Sequence, residues 1–208
     1  MRRVVLATHN AHKVVELRAI LAGFPELADL EIVGAAELGA PSPVETGVTF
    51  AENALLKARA TAVATGLPAL ADDSGLAVDV LGGAPGVFSA RWAGGHGDDA
   101  ANLELLLDQL ADVPDEHRGA QFVCAAALVL PDGTEQVEAG IMSGRLTRSP
   151  RGAGGFGYDP ILEPDEQPAR ARGRVLTSAE LSPAEKNAIS HRGQAFRAMV
   201  RHLGAIRA

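Results

Sequence analysis

The chain has 208 residues, with 19 Lys+Arg against 26 Asp+Glu, six His, one Cys and a formal charge of −7. The acidic balance excludes broad electrostatic binding to nucleic acid or anionic lipid, both of which call for a basic face. The lone Cys124 excludes a disulfide framework, and no apolar run approaches the roughly 20 residues of a membrane span.

In chain order, Arg3 to Ala7 reads as a buried strand. The polar stretch from Thr8 to Lys13 follows, and then Val14, Leu17 and Leu21 recur at helical spacing. Ile32-Val33 is a short strand. Thr49 and Glu52 form a capping-box pattern that opens a helix, which Gly66 and Pro68 close. A strand from Leu67 to Ala71 runs into Asp72-Asp73-Ser74-Gly75. Asp98 or Asp99 caps a helix with Leu103, Leu106, Leu107 and Leu110 inward. Phe122 to Leu130 is a continuous apolar strand, and Asp132-Gly133 turns the chain into a strand from Gln136 to Thr147. Ser182-Pro183-Ala184-Glu185 opens another helix, and the last covers Gln194 to Leu203. No repeat and no break in composition appears. The expectation is one α/β domain over residues 1–208, with a mixed central sheet flanked by helices.

Five segments carry chemistry. The turn from Thr8 to Lys13, between a strand and a helix N-terminus, suits an anion, although an ordinary capped helix start reads the same way. Asn53 and Lys57 share a helical face that Glu45 could approach, so a carboxylate, an amide and an ammonium gather there. Asp72-Asp73 after an apolar strand is costly unless cations answer it, and either a magnesium ion or a general base would use the pair. Gly152, Gly154 and Gly157 match GxGxxG formally, but Pro150 before them and Tyr158-Asp159-Pro160 after them break the strand–helix context of a dinucleotide site. This loop better suits close approach to a base or sugar. Lys186, His191 and Arg192 gather donors between the last two helices. Only three Lys stand against 16 Arg, and all three (Lys13, Lys57 and Lys186) lie in these segments. His96 beside Asp98 and Asp99 reads as helix capping and not as a metal site.

Together the segments closely resemble the inosine/xanthosine triphosphate pyrophosphatase family, also called Ham1-like. The resemblance runs from Leu6-Ala7-Thr8 to His191-Arg192-Gly193. Its most specific pieces are Glu45-Thr46-Gly47 with Phe50, Asn53 and Lys57; Asp72-Asp73-Ser74-Gly75-Leu76; Gly83-Ala84-Pro85-Gly86 with Ser89-Ala90-Arg91; Gly155-Phe156-Gly157-Tyr158-Asp159-Pro160; and Ser190-His191-Arg192-Gly193.

The resemblance implies a homodimer of elongated, two-lobed α/β subunits with the active site in the cleft. Each subunit would use Mg²⁺ to hydrolyse dITP, ITP or XTP to the monophosphate and pyrophosphate. Thr8, His9, Asn10, Ala11, His12, Lys13 and Lys57 would hold the triphosphate. Glu45 and Asp73 would hold the metal with Asp72 beside them, Asp73 would accept the proton of the attacking water, and Ser74 would touch substrate. Phe156, Gly157, Tyr158, Asp159, Lys186, His191 and Arg192 would form the nucleoside end. His9 and His12 depart from the small residues, commonly glycine, of the family's phosphate loop. The stretch Pro164 to Arg174 has no assigned role. The reading places the protein in the cytoplasm, with a small nucleotide as its partner and neither nucleic acid nor membrane. Its alternatives are a triphosphate pyrophosphatase of another base preference and a nucleotide sensor without turnover.

Overall fold

The structure is a computed structural model that describes residues 2–8 and 11–206, without the side chains of Ala11, His12 and Glu16. The expected His9 and Asn10 positions lie outside the described residues, as do the side-chain roles expected of Ala11 and His12. Six strands form one mixed sheet: β1 (Arg2–Leu6), β2 (Leu30–Gly34), β3 (Ala69–Val78), β4 (Gly119–Val129), β5 (Glu135–Leu146) and β6 (Leu162–Pro164). Their order is β2-β1-β3-β4-β5-β6. β1 runs parallel to β2 and β3, and β5 runs antiparallel to β6. The helices are α1 (Ala11–Leu21), α2 (Phe50–Thr65), α3 (Asp99–Gln109), α4 (Pro183–Ile189) and α5 (His191–Ala205). None of them is long and apolar enough to cross a membrane.

The chain divides into two compact units, whose boundaries fall within β3, β4 and β5 and at the start of α5. The first unit comprises Met1–Asp73, Cys124–Gly140 and Arg192–Ala208. Its strands alternate strictly, as the two-residue period of a pleated strand requires. Val4, Leu6, Leu70, Cys124, Ala126 and Leu128 face Leu17 and Leu21 of α1 and Phe196 and Met199 of α5. Ala7, Ala69, Ala71, Ala125 and Ala127 face Ala54, Ala58 and Ala62 of α2. These alanines therefore serve one purpose: α2 packs on the sheet through small side chains on both surfaces.

The second unit comprises Ser74–Val123 and Ile141–His191. Its core joins Leu76 and Val78 of β3, Phe122 of β4 and Met142 and Leu146 of β5 to Leu106 of α3 and Leu110 at the C-cap of that helix.

Local signals read from sequence recur as geometry. The Thr49 side chain accepts from the Glu52 N–H, and Gly66 ends α2 with φ 67°. Ser182 caps α4, with the Glu185 N–H donating to its hydroxyl. Asp132 accepts from the Thr134 N–H at the β4–β5 turn.

Among the boundaries that differ from expectation, two bear on the charged segments. β3 does not stop at Ala71 but continues through Asp72-Asp73-Ser74-Gly75 to Val78. The last helix begins at His191 and not at Gln194, so Lys186 lies within α4 while His191 and Arg192 form the first turn of α5. In both places cation–carboxylate pairs offset the burial of charge that a sequence pattern counts against regular structure.

Candidate active site

Because β3 continues, the pleat sends its two adjacent carboxylates to opposite faces. Asp72 follows Leu70 onto the α1/α5 face. One of its oxygens accepts from Lys13 Nζ of α1 at 3.0 Å and from Arg192 Nε of α5 at 3.1 Å. Asp72 and Arg192 are both almost completely buried. Burial alone would push the Asp72 carboxyl up, but Lys13 and Arg192, with Lys57, outweigh it and hold the group well below the usual carboxylate range.

Asp73 follows Ala69 and Ala71 onto the α2 face. Its Oδ1 accepts from Lys57 Nζ at 3.2 Å, and its Oδ2 accepts from Asn53 Nδ2 at 3.3 Å. The same Lys57 ammonium donates to Glu45 Oε1 at 2.6 Å. Burial pushes the Asp73 carboxyl above its ordinary value; Lys57 opposes that shift and the nearby Glu45 carboxylate adds to it. Burial also works against the Lys57 charge, but Asp73, Asp72 and Glu45 outweigh it and the ammonium is held more firmly.

Asn53 has a use the sequence did not reveal. Its Oδ1 accepts from the Gly47 N–H at 2.8 Å while its amide donates to Asp73, so one buried side chain ties the Glu45-Thr46-Gly47 segment to β3. Gly47 is required for this close approach: a Cβ there would lie 2.7 Å from Asn53 Oδ1. Cys124 shares the buried surroundings of Asp72, and burial raises its thiol far above the range of a nucleophile.

Glu45 and Asp73 direct oxygens at a single point, the Lys57 nitrogen. Two hard oxygen donors of this kind suit a magnesium ion, which leaves the rest of its shell to water and phosphate oxygens. The pleat separates Asp72 from that pair. Among the described residues, no group of three or more His, Cys, Asp or Glu side chains gathers as a metal site.

The glycine-rich segment lies in the second unit, and no helix opens at Gly157, so the dinucleotide fingerprint is absent there. Tyr158 and Asp159 point inward. The Tyr158 hydroxyl donates to the Ser89 carbonyl at 2.9 Å, and Asp159 Oδ2 accepts from the Phe156 N–H at 2.8 Å and from Lys186 Nζ at 2.6 Å. Phe156 is the outward member, 40% exposed, with Lys186 Nζ 5.4 Å from its ring centroid. His191 stacks on Phe122, the ring centroids 5.0 Å apart. Thr8 follows β1 with its N–H donating to the Leu6 carbonyl, and Ser74 continues β3. Asp98, not His96, caps α3.

The arginine-rich stretch acts as a set of braces. Arg170 forms two bonds to Glu185, at 2.7 and 2.9 Å, and Arg174 pairs with Glu180. The side-chain bond to Arg170, with those from Ser182, lowers the Glu185 carboxyl to about 2.

Residues 4–202 match the family model described as the Ham1 family. A dITP/XTP pyrophosphatase of Streptomyces coelicolor is 64% identical over 203 residues, covering 96% of each chain. The structure of a HAM1 protein from Coxiella burnetii is 41% identical and covers 99% of this chain and 100% of its own, with a TM-score of 0.84. A crystal structure of a nucleoside-triphosphatase / dITP/XTP pyrophosphatase from Mycobacterium abscessus is 49% identical, covers 95% of this chain and 98% of its own, and has a TM-score of 0.76. The chain therefore belongs to the Ham1 family.

Proposed function

We propose that this protein hydrolyses the non-standard purine nucleotides dITP, ITP and XTP to the monophosphate and pyrophosphate. The observation that carries the reading is the pair of faces on β3, where a buried Asp72 bonded to Lys13 and Arg192 stands back to back with an Asp73 that shares the Lys57 ammonium with Glu45. Asp73 accepts the proton of a water attacking the α-phosphorus, and the bond to the β-phosphate oxygen breaks as pyrophosphate leaves. Raised basicity suits this role, because a general base works best when its pKa approaches the working pH. Lys13 and Lys57 exchange part of their carboxylate contacts for phosphate oxygens, with Thr8 to His12 supplying further donors. Glu45 and Asp73 would hold Mg²⁺, which when bound neutralises charge on the triphosphate and on the leaving pyrophosphate. Ser74 touches the same substrate.

The nucleoside end is assigned to Phe156 through Asp159 with Lys186, His191 and Arg192. Phe156 supplies the ring face, while Tyr158 and Asp159 set its position. Hypoxanthine and xanthine carry an acceptor oxygen at C6 where adenine carries an amino donor. An arginine offers only donors, so Arg192 welcomes the first and opposes the second. GTP shares the C6 oxygen, so its rejection acts on the 2-amino group. The active form is proposed as a homodimer of single-domain subunits in the cytoplasm, where a free, buried Cys124 thiol is at home. Nucleic acid and membrane are not among its partners, in keeping with the charge of −7.

Pyrophosphate release from ITP, XTP and ATP with Mg²⁺ tests the reading. Strong preference for ITP and XTP is expected, since a site that hydrogen-bonds one group rejects the wrong partner by about 10⁴. Arg192→Ala lowers the ITP to ATP ratio of kcat/KM, and an unchanged ratio removes Arg192 from base reading.

A further inference from the structure

The turn around Phe156 is flanked by two glycines and is closed within the loop by the Asp159 N–H donating to the Phe156 carbonyl at 3.3 Å. Gly155 and Gly157, on either side of it, have φ values of 72° and 58°, in the left-handed region that glycine enters readily and also leaves readily. No atom lies within 4 Å of where a Gly157 side chain would begin, so no side chain of its own could anchor that residue against a neighbour. Hydrogen bonds to two successive backbone amides do the work. The Phe156 N–H donates to Asp159 Oδ2, within the loop itself. The Gly157 N–H donates to Asp99 Oδ2 at 2.8 Å, and Asp99 lies 58 residues away in the first turn of α3.

Asp99 is not needed as the helix cap, because Asp98 already accepts from the Ala101 N–H at 3.0 Å. A carboxylate in the first turn is favoured by the helix dipole. Leu106 on the same helix and Leu110 at its C-cap are fully buried in the core of the second unit, so Asp99 rides on a rigid support. Successive backbone amides in a glycine turn are the usual makings of a phosphate cradle. Here both amides are already answered by carboxylates, so the loop serves a ligand through its side chains and not through its backbone.

We infer that Asp99 is a positioning residue for the nucleoside: by holding Gly157, it keeps the Phe156 ring and the Lys186 ammonium in the arrangement that a purine meets. The inference rests on the proposed assignment of this loop to the nucleoside end. Asp99 itself touches no substrate.

The test compares Asp99→Ala with Asp99→Asn, whose side-chain oxygen still accepts from Gly157. Loss of one hydrogen bond of this kind should raise KM for ITP about two- to tenfold in Asp99→Ala. Three further results are expected: kcat stays close to wild type, inhibition by pyrophosphate is unchanged, and amide hydrogen exchange quickens in a peptide spanning residues 152–160. Asp99→Asn should restore both KM and exchange. A KM and an exchange rate that do not move in Asp99→Ala overturn the inference. So does a parallel loss of pyrophosphate binding, which would mean general damage, or an Asp99→Asn enzyme as impaired as the alanine variant. Wild-type turnover of ITP reports on the proposed reaction alone, whereas amide exchange reports on the Asp99 contact whatever the substrate.

Discussion

The two faces of β3 place the same side chain in opposite situations. On the α1/α5 face, Asp72 meets two cations from two helices, and their attraction exceeds the cost of burial. On the α2 face, Asp73 shares one ammonium with Glu45 and receives an amide from Asn53. Both carboxylates are buried, yet one is driven toward permanent ionisation and the other toward holding a proton. Burial alone therefore does not determine what a carboxylate does. The ratio of nearby cations to anions decides it, at two cations to one anion on the first face and one cation to two anions on the second. The first arrangement makes an anchor, and the second leaves a carboxylate that fits the base of the proposed reaction.

The most direct way to break that comparison is to remove each charge in turn. Asp73→Asn should lower kcat by about 10²–10⁴, the usual contribution of a positioned base, measured as single-turnover pyrophosphate release. Its stability should be unchanged or slightly higher at pH 7. A carboxylate whose folded pKa is raised loses stability as pH rises through that range, and the amide removes the loss.

Asp72→Asn should do the reverse. It leaves Lys13 and the buried Arg192 facing an amide, and breaking a buried pair costs about 3–5 kcal/mol. The contribution of a carboxylate with a depressed folded pKa is complete above its unfolded value and fades as pH falls below it. The gap between Asp72→Asn and wild type should accordingly narrow below about pH 4, as urea midpoints at pH 7 and pH 3 would show. Equal destabilisation by the two asparagine variants would mean that the faces do not differ as described.

Asn53→Ala sharpens the comparison from the other side, because it removes no charge. It leaves the Gly47 N–H without its acceptor and Asp73 without its amide donor, at a cost of about 1–3 kcal/mol in denaturant unfolding. A lowered kcat should accompany the loss. The smallest effect is expected from Arg170→Ala, since exposed ion pairs contribute little. Its nucleotide kinetics should match wild type, and any change in thermal midpoint should vanish in high salt.

The starts of α2 and α4 were legible because their bonds are local: Thr49 to Glu52 and Ser182 to Glu185 span a single turn, and four residues suffice to specify them. The charge-bearing segments were also legible, since each is a short run of unusual residues. What those residues touch was not. Asn53 reads as one of three polar groups, with Glu45 and Lys57, and the structure bonds it to Gly47 and Asp73; of the two cap candidates Asp98 caps α3, which leaves Asp99 to accept from Gly157. Nor did the sequence show that the polar atoms of Tyr158 and Asp159 bond to Ser89, Phe156 and Lys186.

By itself, then, the sequence determined the mixed α/β architecture, the helix caps and the set of segments that carry chemistry. All of these follow from residue periodicity and from bonds between near neighbours. Only the tertiary structure decided the work of each carboxylate. Asp72 and Arg192 are 120 residues apart, and Asp99 and Gly157 are 58 apart. Whether an acid becomes an anchor, a base or a clamp depends on the charges and amides that folding brings to within about 3 Å, a hydrogen-bonding distance that sequence spacing does not encode.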